Sequence, residues 1–171
     1  MPYKPNEREY RAIASFDFSE DNGALVLRGK PILFDTPTVI CVIDGVERYE
    51  IIARGALDGC DMSDFILNRN HGMNDSTVFA RTRNDSLKYS ITDLALEIAG
   101  YLDSEDERHV NLHRDVLKRR VDKMSFSFIT KEDAYDRETH TRTITKIAKL
   151  YDVSAVDFAA YGGTDITTRG F

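Results

Sequence analysis

Two short stretches of this chain hold residue types that together can activate a hydroxyl. "FILNRNHG" brings an apolar run to a halt at His71-Gly72, and "MSFSF" (Met124 to Phe128) alternates apolar residues with two serines. A serine hydroxyl is a weak nucleophile until a neighbouring base removes its proton, and imidazole is the side chain best poised to do so near pH 7. A third group must then hold the imidazole's tautomer and stabilise its charged form. Strand alternation puts Ser125 and Ser127 on one face, opposite Met124, Phe126 and Phe128. Either hydroxyl could face a site while the apolar residues anchor the strand. Taken singly, each of these residues is an ordinary structural one. Their pairing does not follow from spacing, and no Gly-x-Ser-x-Gly elbow marks a nucleophile.

The other histidines read differently. His109 and His113 lie one helical turn apart and could share a zinc ion, but Val110 stands where the metalloprotease pattern needs Glu, and no cysteine cluster completes a site. They read as surface histidines on a helix. His140, in "DRETHTR", reads as a solvated loop residue. The sequence calls for no metal and no cofactor.

Composition narrows the function classes. With 171 residues the chain is long enough for one domain with a real core, and its 42% hydrophobic and 30% charged content is ordinary for a globular protein. A net charge of −6 argues against nucleic-acid binding as the main task, because a phosphate-tracking surface needs a basic excess. The basic "RDVLKRR" reads as a solvated helix face. No apolar run approaches the roughly 20 residues that span a bilayer, and Met1 to Tyr10 is too polar for a secretory signal. Cys41 and Cys60 lack Cys-x-x-Cys spacing, so reduced thiols in a cytosolic compartment are expected.

The elements that must position the serines and the histidine are mostly strands. "YRAIASFDF" alternates, "SEDNG" has turn chemistry, and "ALVLRGKPILF" resumes as a strand interrupted at Gly29 and Pro31. Asp44-Gly45 between two β-rich runs is a strong hairpin signal. "GALDGCDMSDFILN" reads as a helix or turn leading into an apolar run. A further hairpin is expected from "STVFARTR" through Asn84-Asp85 to "SLKYSITDLALEIAGYL", with Leu94, Leu96 and Ile98 alternating. The clearest helix runs from Ser104 to about Lys118, with Ser104 and Glu107 as a capping box and Val110, Leu117 and Val121 as its apolar stripe, Leu112 beside it. "KMSFSFI" is a strand, Lys131 to Thr141 a polar loop, and "RTITKIAKLYDVSAVDF" β-rich. One mostly-β domain over 1–171 is expected, with 1–9 a polar lead-in and about 165–171 a flexible tail.

In this order, "GAL…LNRNHG", "KMSFSF" and "LYDVSAVDFAAYGGT" resemble the prohead maturation proteases of tailed bacteriophages, distant relatives of the herpesvirus assemblins. The resemblance runs from about Leu27 to Thr164. It implies an α+β fold with an assemblin-like β-barrel flanked by helices, His71 as general base and Ser125 as nucleophile. It puts an acid before Val-Ser in the late strand, here Asp152, as the orienting member, with His140 as the alternative. The chain departs from the family's pattern at Gly72, where Asp is common, at Ser127, where Gly is frequent, and at Ala159-Ala160-Tyr161 in place of Pro-Ala-Tyr. Ser127 is thereby a second candidate nucleophile.

The resemblance further implies a serine endopeptidase that cleaves capsid scaffold segments, itself and the major capsid protein. It would act inside the immature prohead in the bacterial host cytoplasm, with a homodimer as a further expected partner state. Gly162 and Gly163 are candidates for the loop that holds the oxyanion, since glycine lets backbone approach a ligand. The competing readings are a non-catalytic capsid-assembly or scaffold-binding module on the same fold, and another hydrolase using His71 with a different partner.

Overall fold

Alternation and turn dipeptides set most of the strand boundaries in the computed structural model, which describes residues 7–21, 24–73 and 76–157. Ten strands follow in chain order: β1 (Arg8–Asp21), β2 (Ala24–Leu33), β3 (Thr38–Ile43), β4 (Val46–Ile52), β5 (Ile66–Arg69), β6 (Ala80–Arg81), β7 (Leu87–Ile91), β8 (Ala95–Leu102), β9 (Lys123–Asp136) and β10 (Thr141–Val156). One α-helix, α1 (Glu107–Leu117), and single 3-10 turns at 70–72 and 82–84 complete the described elements. The class is mostly β within α+β, as expected.

Hydrogen bonding runs β3-β4-β10-β9-β1-β2-β8-β7, with β5 on β10 and β6 on β5. Among the described residues β3 and β7, the ends of this path, do not pair, and no closed barrel is found there, where one was expected. Among the described residues there is one α-helix, where several were expected.

Asp44 and Gly45 both take positive φ, 53° and 77°. This is the two-residue turn whose twist suits a hairpin, and β3 pairs with β4 across it. Proline's missing N–H accounts for the slip between Gly29 and Ile32 in the pairing of β2 with β8. The hairpin expected around Asn84-Asp85 is arranged otherwise. β6 pairs with β5, while the following run folds on itself as β7 and β8. Thr92 makes that second turn by accepting from the Leu94 and Ala95 N–H groups, which leaves Leu94 exposed while Leu96 and Ile98 are buried. The polar loop expected over Lys131 to Thr141 is mostly strand, because β9 and β10 pair as one long hairpin as far as Asp136↔Thr141.

The helix starts later than Ser104. Asp106 caps it, accepting from the Arg108 N–H at 2.9 Å, so the Ser104–Glu107 capping box does not form. Its buried face is His109, Leu112, His113 and Val116, whereas Leu117 is 58% exposed. Of the expected set, Leu112 and, beyond the helix, Val121 are buried, while the buried face turns away from Leu117 to take in both histidines. The two histidines are therefore interior residues. His109 packs on Phe79 with ring centroids 5.0 Å apart, and its Nδ1 accepts from the Asp103 N–H at 3.1 Å.

The core lies on the apolar face of β9, where Met124, Phe126 and Phe128 are fully buried with Leu27, Phe65, Leu67 and Leu150. Phe126 and Phe128 stack with centroids 5.1 Å apart. This face anchors the strand that carries both serines.

Candidate active site

β9 and β10 form the frame of the site, and a bulge decides which side chains meet. Leu150 lies opposite Phe128, but the register then shifts, so that Asp152 lies opposite Ser127 and Ser154 opposite Ser125. Without the extra residue at Tyr151, Asp152 would oppose Phe126 on the apolar face. Re-aiming a side chain in this way is what bulges do beside functional sites. Ser125, Ser127, Asp152 and Ser154 thus share one buried polar face.

β5 runs parallel to the same part of β10, with Asn68 beside Ser154 and Arg69 beside Ala155. The chain then turns sharply. Asn70, His71 and Gly72 take positive φ of 47°, 56° and 72°, a region that glycine adopts freely and that Asn and His tolerate better than most residues. The turn is tied down on both sides. Asn70 Nδ2 donates to Asp157 Oδ2 at 2.9 Å, and Asn70 Oδ1 accepts from the Asp157 N–H at 3.1 Å. The His71 N–H donates to Ser154 Oγ at 2.9 Å. Hydrogen bonds from Arg69 and Asn70 lower the Asp157 pKa, which keeps this anchor charged at neutral pH.

His71 Nδ1 lies 2.6 Å from Asp152 Oδ1, and His71 Nε2 lies 2.6 Å from Ser125 Oγ. An ionised carboxylate only accepts, so Nδ1–H donates to Asp152 and the Nε2 lone pair is left for the Ser125 hydroxyl. The imidazole side chain is 6% exposed and Asp152 is fully buried. The Tyr10 ring meets the imidazole edge-on, 4.7 Å between centroids.

The second serine touches the acid instead. Ser127 Oγ donates to Asp152 Oδ2. The Arg8 guanidinium donates to Ser127 Oγ from Nε at 3.0 Å and from Nη2 at 2.8 Å, and also to Asp152 Oδ2. His140 sits at the other end of β10, beside Arg48 and Tyr135, in the hairpin turn rather than at His71. It is half-buried and bonded rather than solvated. Gly162, Gly163, the Ala159–Tyr161 stretch and the tail lie outside the described residues. Among the described residues no group of three or more His, Cys, Asp or Glu side chains is arranged to hold a metal ion, and no helix is long and apolar enough to cross a membrane. Both cysteines are free, and burial pushes the Cys60 thiol up to about 11.

Arg8, Tyr10, Ser154 and the Asn70–Asp157 pair were not singled out in the sequence. Ser154 could have been, since it follows Asp152 by two on a strand. Arg8 stood in the stretch read as a polar lead-in, yet β1 begins with it.

The family model for caudovirus prohead serine proteases matches residues 14–171. The chain belongs to this family. The matched segment contains His71, Ser125 and Asp152 and begins downstream of Arg8 and Tyr10. Neither curated proteins nor solved structures show a significant match to this family member.

Proposed function

We propose that the chain is a serine endopeptidase of prohead maturation in which Ser125 is the nucleophile, His71 the general base and Asp152 the group that orients it. One observation carries this reading: a single buried imidazole bridges the Ser125 hydroxyl and the Asp152 carboxylate, at 2.6 Å on each side. Ser125 stands on a strand whose opposite face is fully buried, the rigid support a catalytic constellation needs.

Ser125 Oγ attacks the scissile carbonyl carbon while its proton passes to His71 Nε2. The C–N bond of the tetrahedral intermediate then breaks as that proton moves to the leaving amine. Water, giving its proton to the same nitrogen, opens the acyl-enzyme and releases a carboxylic acid and free Ser125. Asp152 holds the Nδ1–H tautomer and stabilises the imidazolium in between. The oxyanion needs backbone donors, each typically worth about 10²–10³ in turnover, and the Gly162-Gly163 loop is their proposed source.

Family membership supports capsid proteins as substrates. We take these to be scaffold segments, the major capsid protein and the chain itself, cut within the prohead in the host cell, with a homodimer as the proposed active form. Co-expression with scaffold and capsid proteins, followed by intact-mass spectrometry, tests the assignment. Processing is expected with wild type and with Ser127→Ala, and none with Ser125→Ala or His71→Ala while circular dichroism shows each variant folded. Normal processing by Ser125→Ala would leave a scaffold-binding module on the same fold.

A further inference from the structure

The resting site has an electrostatic difficulty. His71 must be neutral to accept a proton, yet the acid it touches is fully buried. A buried carboxylate without a countercharge is costly, and the easiest relief is to protonate the adjacent imidazole, which would disable it as a base. A second cation lies on the other side of the acid. Asp152 Oδ1 serves His71, while Oδ2 accepts from both Ser127 and Arg8. The Arg8 guanidinium also binds Ser127 Oγ and packs 4.6 Å from the Tyr151 ring and 5.5 Å from the Tyr10 ring. Its side chain stays 38% exposed, so its own desolvation is partial. Alternation along β1 turns Arg8 and Tyr10 to the same side, one against the acid and the other against the base.

We propose that Arg8 is a positioning residue, the resting countercharge that lets an ionised Asp152 and a neutral His71 coexist. The proposal rests on the triad reading above. Among the described residues, the groups in contact with this pair are Ser125 and Ser127 from β9, Ser154 from β10, and Arg8 and Tyr10 from β1, with Tyr151 packed on Arg8. Arg69, next to the turn from β5, is engaged by Asp115 and Asp157. Among the described residues, Arg8 is thus the Lys or Arg side chain placed on the acid.

The test uses the full chain as wild type, Arg8→Gln and Arg8→Lys. The His71 ring proton is titrated by NMR, assigned with His71→Ala, and the rate of Ser125 phosphonylation by a fluorophosphonate probe is followed against pH. In that reaction the serine oxygen displaces fluoride and the hydroxyl proton passes to His71. With Arg8→Gln, the His71 titration and the lower limb of the labelling profile should both move to higher pH by about one unit, and Arg8→Lys should recover most of the shift. An unmoved titration in a folded Arg8→Gln overturns the proposal. Arg8→Met, which keeps a stem against Tyr151, takes its place if the Gln variant does not fold. A titration that shifts in a chain whose wild type is never labelled counts against the protease reading and not against Arg8.

Discussion

Ser125 and Ser127 occupy the same face of one strand and differ only in what lies across from them. Ser125 meets the imidazole; Ser127 meets the acid. Replacing Ser125 with Ala should remove turnover and probe labelling together. Ser127→Ala should keep both, with turnover reduced about ten- to a hundredfold as Asp152 loses one of its fixed donors. Asp152→Asn should cost roughly 10⁴ in turnover, since the amide no longer enforces the Nδ1–H tautomer. Single-turnover labelling separates these three outcomes. Alternation alone made the shared face of the two serines legible in the sequence. Their division of labour was not, because it depends on a bulge at Tyr151 that no local residue pattern marks.

At the scale of elements, the turn at 70–72 is the piece on which the site depends. Asn70→Ala removes both hydrogen bonds to Asp157 and a residue type that accepts positive φ. Urea unfolding should show a loss of about 1–3 kcal/mol, and labelling of Ser125 should fall at least tenfold, since a displaced imidazole is a poor base. Helix α1 gives the contrasting case. Asp106→Ala loses its N-cap bond and should lower Tm by a few degrees in a thermal melt, with the labelling rate unchanged. Strands with a self-contained signal, such as the Asp44-Gly45 hairpin, could be read directly. The helix face could not, because His109 and His113 supply apolar ring surface to the interior while looking polar in a sequence.

Across the whole molecule, β1 holds two polar assemblies, one on each side. Arg8 and Tyr10 face the site; Glu9 and Arg11 face a buried ionic network with Glu50, Thr130 and Arg142. Arg11 grips Glu50 through Nε at 2.5 Å and Nη2 at 2.8 Å, both side chains nearly inaccessible. Glu50→Ala leaves a buried cation short of its partner and should cost about 3–5 kcal/mol in a denaturant melt. Burial raises the Glu9 pKa, but hydrogen bonds and charge from Arg142 and Arg11 outweigh it and the net direction is down. The folded value lies below the unfolded one of about 4.3, so this stabilisation is complete above that pH and is lost as pH falls through the folded value. Tm measured from pH 7 to pH 3 should therefore fall less steeply for Glu9→Gln than for wild type. These long-range ion pairs were invisible in the sequence, since each charge alone reads as surface. The site shares that property: His71 meets Ser125 across 54 positions, Asp152 across 81, and Arg8 reaches Asp152 across 144. In a chain made at about 5–20 residues per second, Asp152 is the last of the three proposed triad members to be added. A triad drawn from such distant positions is complete only once β10 has been made and paired with β9.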